Sequence, residues 1–305
     1  MTVPIVLDCD PGHDDAIAIL LAAGHPEIDL RAITTVAGNG TLENVTRNAR
    51  GVATLAGLDG VPIAAGAEGP ASGELAFATD VHGESALDGP ALPEPTVPLD
   101  PRRARELIAG AAEPYTLVAT GPLTNVAEAL DGLDGGRVRE IVWMGGSTGR
   151  GNRAPYAEFN AWADPDAAEA VLARGIPFTM IGLNLTHQAL ATPDVIERIG
   201  ALRTPLAEWV TGLLAFFSST YRELFGFAAP PVHDPCAVAL VAEPAVVRCV
   251  PAFMAVETDG RWTRGATVVD LDGRLGREPN AQVAVELDAA RFWTLVVDAV
   301  ARLGR

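Results

Sequence analysis

Four carboxylates, Asp8, Asp10, Asp14 and Asp15, fall within eight residues of the segment Ile5–Leu21, where an apolar strand pattern gives way to a helical one. Carboxylates this close repel one another, and confining them is costly unless something positive sits between them. A hard divalent cation with several oxygen ligands answers that need. Other polar groups stand at comparable turns. In Val232-His233-Asp234-Pro235-Cys236, Asp234 is either a helix N-cap or, with His233, part of a pair offering a proton donor and a further metal ligand. In Gly38-Asn39-Gly40, Asn39 either tolerates a left-handed turn or turns its amide toward the aspartates' crevice. Thr120-Gly121-Pro122-Leu123-Thr124-Asn125 offers main-chain oxygens to a cation, or simply a capped helix. Asn152, Glu158 and Asn160 follow the Gly145-Gly146 pair and form a donor-and-acceptor set suited to vicinal hydroxyls. His82, in a long loop, reads by itself as a solvated side chain.

The elements that must position these groups alternate. Period-2 and continuous apolar runs predict strands at 3–8, 29–36, 61–65, 115–119, 138–143 and 177–182. Helical spacing predicts helices at 14–24, 41–57, 101–112, 122–131, 164–174, 204–225 and 234–242. Strands at 247–257, 264–270 and 281–287 and a helix at 289–303 follow. This is the α/β pattern of a mostly parallel central sheet flanked by helices, one domain over 1–305 with a few extra C-terminal strands. Asp8 and Asp10 point the same way on extended chain, and Asp14 and Asp15 occupy a helix's first turn, where the macrodipole favours negative charge. Ligands collect at the carboxyl ends of such strands. The Gly-, Pro- and Ala-rich stretch 66–99 is long for a structureless loop and reads as functional or as a lid.

The 305 residues carry a net charge of −17, which argues against nucleic acid or an anionic membrane as partner. Three scattered cysteines form no disulfide framework, and neither a leader pattern nor a membrane-length apolar run is seen, so a cytoplasmic protein is expected.

Together the motifs Asp8-Cys-Asp10-Pro-Gly-His-Asp14-Asp15-Ala, Thr34-Thr-Val-Ala-Gly-Asn39, His82-Gly-Glu-Ser, Thr120-Gly-Pro-Leu-Thr-Asn125, Met144-Gly-Gly, Ala157-Glu-Phe-Asn160 and His233-Asp234-Pro resemble the inosine–uridine preferring nucleoside hydrolase family, in its order and across nearly the whole chain. The resemblance implies a Rossmann-like fold, cleavage of ribonucleosides to ribose and free base, one Ca²⁺, and a homodimer or homotetramer. It implies that Asp10, Asp15, Asp234 and the main-chain oxygen of Thr120 hold the cation. Asp14, Asn152, Glu158 and Asn160 map to ribose contacts, Asn39 to a place beside the reacting centre, Asp10 to the general base, His233 to the acid, and His82 to the nucleobase end of the pocket. The loop 224–231 departs from the pattern: no tyrosine lies between 222 and 305, and Tyr221 stands at least a helical turn upstream. Some relatives place a tyrosine near this loop to activate the leaving base, so the departure points toward pyrimidine nucleosides, with Phe225, Phe227 or Trp262 as candidate base-pocket walls. Two rivals fit less well. An aspartate-dependent phosphohydrolase would have Thr or Val where Gly12 stands, and a non-catalytic nucleoside-binding relative would not need Asp10, Asn39 and His233 intact.

Overall fold

The first strand buries both its faces, and the alternation along it explains the layers. Ile5, Leu7 and Cys9 of β1 (Val3–Cys9) enter one apolar cluster, while Val6 enters another on the opposite face. The same alternation recurs in β4 (Tyr115–Ala119) and β5 (Val138–Met144): Val118, Val142 and Met144 face the first cluster, and Leu117, Ala119, Ile141 and Trp143 face the second. The structure, a computed structural model, describes residues 2–70, 75–131 and 137–305. Residues 71–74, within the long loop anticipated from sequence, lie outside the described residues.

Nine strands share one sheet in the order β3-β2-β1-β4-β5-β6-β9-β7-β8, with β2 (Ile28–Thr35), β3 (Ile63–Ala65), β6 (Phe178–Ile181), β7 (Val247–Val256), β8 (Thr267–Asp270) and β9 (Ala281–Leu287) completing it. Every pairing from β3 through β9 is parallel, and β7 pairs antiparallel with both β9 and β8. This is the mostly parallel α/β sheet with added C-terminal strands that the alternation predicts. Helices cover both faces. Against the first cluster lie α1 (His13–Gly24), α2 (Leu42–Leu55), α9 (Pro193–Gly200), α10 (Pro205–Phe225), α11 (Pro235–Ala242) and α12 (Ala289–Leu303). Against the second lie α4 (Ala104–Ala109), α5 (Thr124–Leu130) and α7 (Pro165–Leu172).

Three short helices, α3 (Thr79–His82), α6 (Phe159–Ala163) and α8 (Leu183–Thr186), sit at the ends of connections where no periodicity announces them. Four or five residues hold too little pattern to be read. The chain runs from β1 through β2 to β3 on one side, then returns to lay β4 on the other side of β1. That reversal opens a crevice beyond the carboxyl ends of β1 and β4, the place where such sheets bind ligands. Among the described residues no helix is long and apolar enough to cross a membrane.

Candidate active site

The crevice holds a pocket lined by acidic, amide and aromatic side chains, among them Asp14, Asn39, Asn160, Tyr221, His233 and Asp234. Three parallel strands deliver a group to it from their carboxyl ends: Asn39 after β2, Thr120 after β4 and Met144 at the tip of β5, while Asp10 after β1 lies behind Asn39, whose amide it accepts. Gly12 keeps the first turn tight. A Cβ there would stand 2.5 Å from His82 Nδ1 and 2.8 Å from Asn39 Nδ2.

One wall is acidic. Oxygens of Asp14, Asp15 and Asp234 lie within 4.8 Å of one another, and all three residues are buried. Asp15 is held by four donors: the amides of Asp10 (3.3 Å) and Gly12 (3.0 Å), Thr120 Oγ1 (2.8 Å) and Asn39 Nδ2 (3.0 Å). Asp10 accepts the Asn39 amide at Oδ2 (2.7 Å), while its Oδ1 is buried without a hydrogen-bond partner. Burial, with the Asp15 charge next, pushes Asp10 well above the usual carboxylate range and Asp14 up to about 7. Burial, followed by Asp14 and Asp15, does the same to Asp234. No arginine or lysine bridges to these four among the described residues. Clustered buried carboxylates, an orphaned oxygen and no organic cation form a donor set of hard oxygens that fits a divalent ion.

Asp8 does not join them. Its Oδ1 accepts from Thr34 Oγ1 (2.6 Å) and Asn125 Nδ2 (2.8 Å), tying β1 to β2 and α5, so the expectation that it shares the crevice with Asp10 is corrected. Burial raises it to about 7.

Three of the four ribose-contact candidates, Asn152, Glu158 and Asn160, are held around α6, whereas Asp14 sits in the acidic cluster and accepts the His233 amide (3.3 Å). Asn160 Nδ2 donates to the carbonyls of Thr120 (2.8 Å) and Met144 (3.0 Å), leaving Oδ1 as its free group. Glu158 caps α6, accepting from the amides of Gly146, Asn160 and Ala161. Burial nonetheless pushes it up to about 7. Asn152 Oδ1 accepts the Phe159 amide (2.9 Å), which leaves its Nδ2 to donate.

A second wall, joined to the first where the His233 amide donates to Asp14 Oδ2 (3.3 Å), is aromatic. His82, expected from its loop to be solvated, is 6% exposed because α3 folds it beneath the pocket rim. Its Nδ1 accepts the His13 amide (3.2 Å) and lies 3.0 Å from His13 Nδ1. His13 Nε2 donates to the Asp88 carbonyl (2.8 Å), and its ring stacks on Phe216 and Phe217. His233 is held at both ring nitrogens, by Thr186 Oγ1 (2.7 Å) and by Tyr221 Oη (2.8 Å). Burial lowers His13 to about 4 and, with His187 nearby, His233 to about 3.

Tyr221 overturns the sequence argument. It lines the pocket, because α10 ends in a left-handed Gly226 (φ 71°) and the chain turns back over the helix's last turn. The signal was that glycine, which marks a helix end followed by a reversal. Phe225 also lines the pocket, Phe227 instead packs on Tyr221 and His187, and Trp262 is 76% exposed beneath Arg261.

The sequence model of the inosine–uridine preferring nucleoside hydrolases matches residues 5–294. This chain belongs to that family. Like its members it is an enzyme that hydrolyses N-glycosidic bonds. The family's pyrimidine-specific ribonucleoside hydrolase RihA of Escherichia coli is 46% identical over 98% of both chains, as is that of Shigella flexneri. Among solved nucleoside hydrolase structures, the purine-preferring ribonucleoside hydrolase from Gardnerella vaginalis superposes with a TM-score of 0.91 at 30% identity, covering 99% of each chain. A plant nucleoside hydrolase, PpNRh1, superposes at 0.90 with 28% identity and the same coverage.

Proposed function

We propose that this nucleoside hydrolase releases ribose and free base from ribonucleosides with a preference for pyrimidines, with Asp10 as general base, His233 as acid and Ca²⁺ as cofactor. The observation that carries this reading is a pocket lined by both the buried acids Asp14 and Asp234 and the hydrogen-bonded His233–Tyr221 pair, with the unpartnered Oδ1 of Asp10 buried beside Asn39.

Asp10, Asp15, Asp234 and the Thr120 carbonyl are the ligands in this reading. The cation they hold would lower the pKa of a bound water and anchor ribose hydroxyls. Asp14, Asn152, Glu158 and Asn160 take the ribose. The free groups left on Asn152 and Asn160 are a donor and an acceptor, and a hydroxyl can answer either. Departure of the base leaves positive charge on the sugar ring, which the carboxylate wall and the oxygen dipoles around Asn39 stabilise. Asp10 takes the proton of the attacking water. The departing base carries negative charge until it is protonated, and the His233–Tyr221 pair stands ready to supply that proton, with His82 beside the base. Held hydroxyls supply proximity.

The base preference rests on the 46% identity to proteins named pyrimidine-specific, and no longer on a missing tyrosine. The purine-preferring neighbour is 30% identical. The reading extends to nucleoside salvage in the cytoplasm by a homodimer or homotetramer, as the family resemblance implies. The test is ribose release from uridine, cytidine, inosine, adenosine and guanosine with and without a calcium chelator. Chelator-sensitive release fastest for uridine or cytidine is expected. Release dominated by inosine would overturn the preference, and no release with calcium present would overturn the substrate class.

A further inference from the structure

Thr186 stands at the end of a four-residue helix with no motif around it, yet it is fully buried and its hydroxyl lies 2.7 Å from His233 Nδ1. The contact is built rather than incidental. The segment after α8 pairs as a short antiparallel bridge with the segment before His233: Ala191 N–H donates to the Pro230 carbonyl (2.9 Å) and Val232 N–H to the Ala189 carbonyl (3.0 Å), around Leu190 and Pro231. That pairing sets the register between Thr186 and His233.

The helix itself is fastened to the sheet. Asn184 Nδ2 donates to the Ala284 carbonyl (2.8 Å), and Gln188 donates to Val285 (3.1 Å) and accepts from the Leu287 amide (3.0 Å), all on β9. A rigid hydroxyl therefore meets one nitrogen of the imidazole while Tyr221 meets the other from α10.

We propose that Thr186 is a positioning residue for the glycosidic cleavage: its hydroxyl holds the His233 ring so that Nε2 faces Tyr221 and the leaving base. The inference rests on the reading of His233 as the acid. An imidazole free at Nδ1 can rotate about its terminal torsion, which is broad for histidine. A hydroxyl suits this task because it both donates and accepts, so it keeps its bond to Nδ1 whichever ring nitrogen carries the proton. With the proton on Nδ1, Thr186 Oγ1 accepts it and Nε2 accepts from Tyr221; with the proton on Nε2, Thr186 donates to Nδ1 instead. Valine has nearly the same shape and cannot make either bond.

The test compares uridine with p-nitrophenyl riboside, whose leaving group needs no proton, in Thr186→Val, Thr186→Ser and His233→Ala. Thr186→Val is expected to lower kcat on uridine about 10- to 100-fold with KM little changed, while p-nitrophenyl riboside stays within about threefold. Thr186→Ser, which keeps the hydroxyl, is expected to recover uridine turnover to within about threefold of the parent. Unchanged uridine turnover in Thr186→Val, an equal loss on both substrates, or no recovery in a folded Thr186→Ser would each overturn the proposal. His233→Ala separates the two failures. An equal loss on both substrates there removes the acid reading itself, whereas a selective loss there with none in Thr186→Val removes only the role of Thr186.

Discussion

The two walls of the pocket are made in opposite ways. The carboxylate wall comes mostly from one strand-to-helix turn, Asp10 to Asp15, with Asp234 added from the start of α11. The imidazole wall draws His82, Tyr221 and His233 from three elements and Thr186 and His13 from two more. The first wall keeps a buried oxygen unsatisfied, while the second has protein partners at both ring nitrogens of His233. A site that leaves donor atoms bare is waiting for a ligand from outside the chain. A site that satisfies its own atoms has its orientation settled before substrate arrives.

The sharpest way to break this contrast is Asp10→Ala, which removes the bare oxygen and the proposed base together. Ribose release from uridine should fall about 10³-fold or more, and near-parental turnover would end the reading. His233→Ala attacks the other wall. Uridine turnover should fall about 10²-fold or more while p-nitrophenyl riboside is nearly spared, as steady-state kinetics on both substrates will show.

Below neutral pH, two buried groups around the pocket should then act on the stability of the metal-free protein with opposite sign. His13 falls from 6.5 to about 4, so the unfolded chain binds its proton first, and stability is lost as pH drops from 6.5 through about 4. Urea unfolding of His13→Gln should show that acid slope reduced by up to about 3 kcal/mol over the interval. Glu158 has the opposite sign. Raised from 4.5 to about 7, it favours the folded state at low pH and costs stability as pH rises through that window, so Glu158→Gln should remove a loss of stability between pH 4.5 and about 7. The smallest effect expected is the calcium shift. At a hundredfold excess over Kd, calcium should stabilise the protein by about 2.7 kcal/mol, and Asp234→Asn should abolish the rise in Tm. An equal rise in that variant would place the ion elsewhere.

The same contrast explains what could be read from sequence. The acid turn was legible because its residues are contiguous and follow a strand whose periodicity is plain, and the mostly parallel sheet follows from the alternation of strands with helices. Tyr221 was not. Twelve positions from His233, it reaches Nε2 only because Gly226 adopts a left-handed conformation and the chain reverses. Thr186 had no signal at all, since its place depends on a two-residue pairing of Leu190 with Pro231 that forms only in the folded protein. His82 could be placed at the pocket only through the family resemblance, for a related reason. A loop histidine is solvated unless a helix too short to predict buries it, and α3 is four residues long.

The helix that carries Asp14 and Asp15 ends at Gly24, where a Cβ would stand 2.6 Å from the Ala299 carbonyl oxygen, and Arg302 donates to the Gly24 carbonyl (3.2 Å). Those contacts join positions some 275 residues apart. During vectorial synthesis the acidic turn is therefore made among the first residues but cannot be clamped until the chain through Arg302 has left the ribosome. Until then α1 lacks its α12 brace, so completion of the pocket's support is a late event in the life of the nascent chain, and a chain halted before α12 should show the amides of α1 less protected from hydrogen exchange.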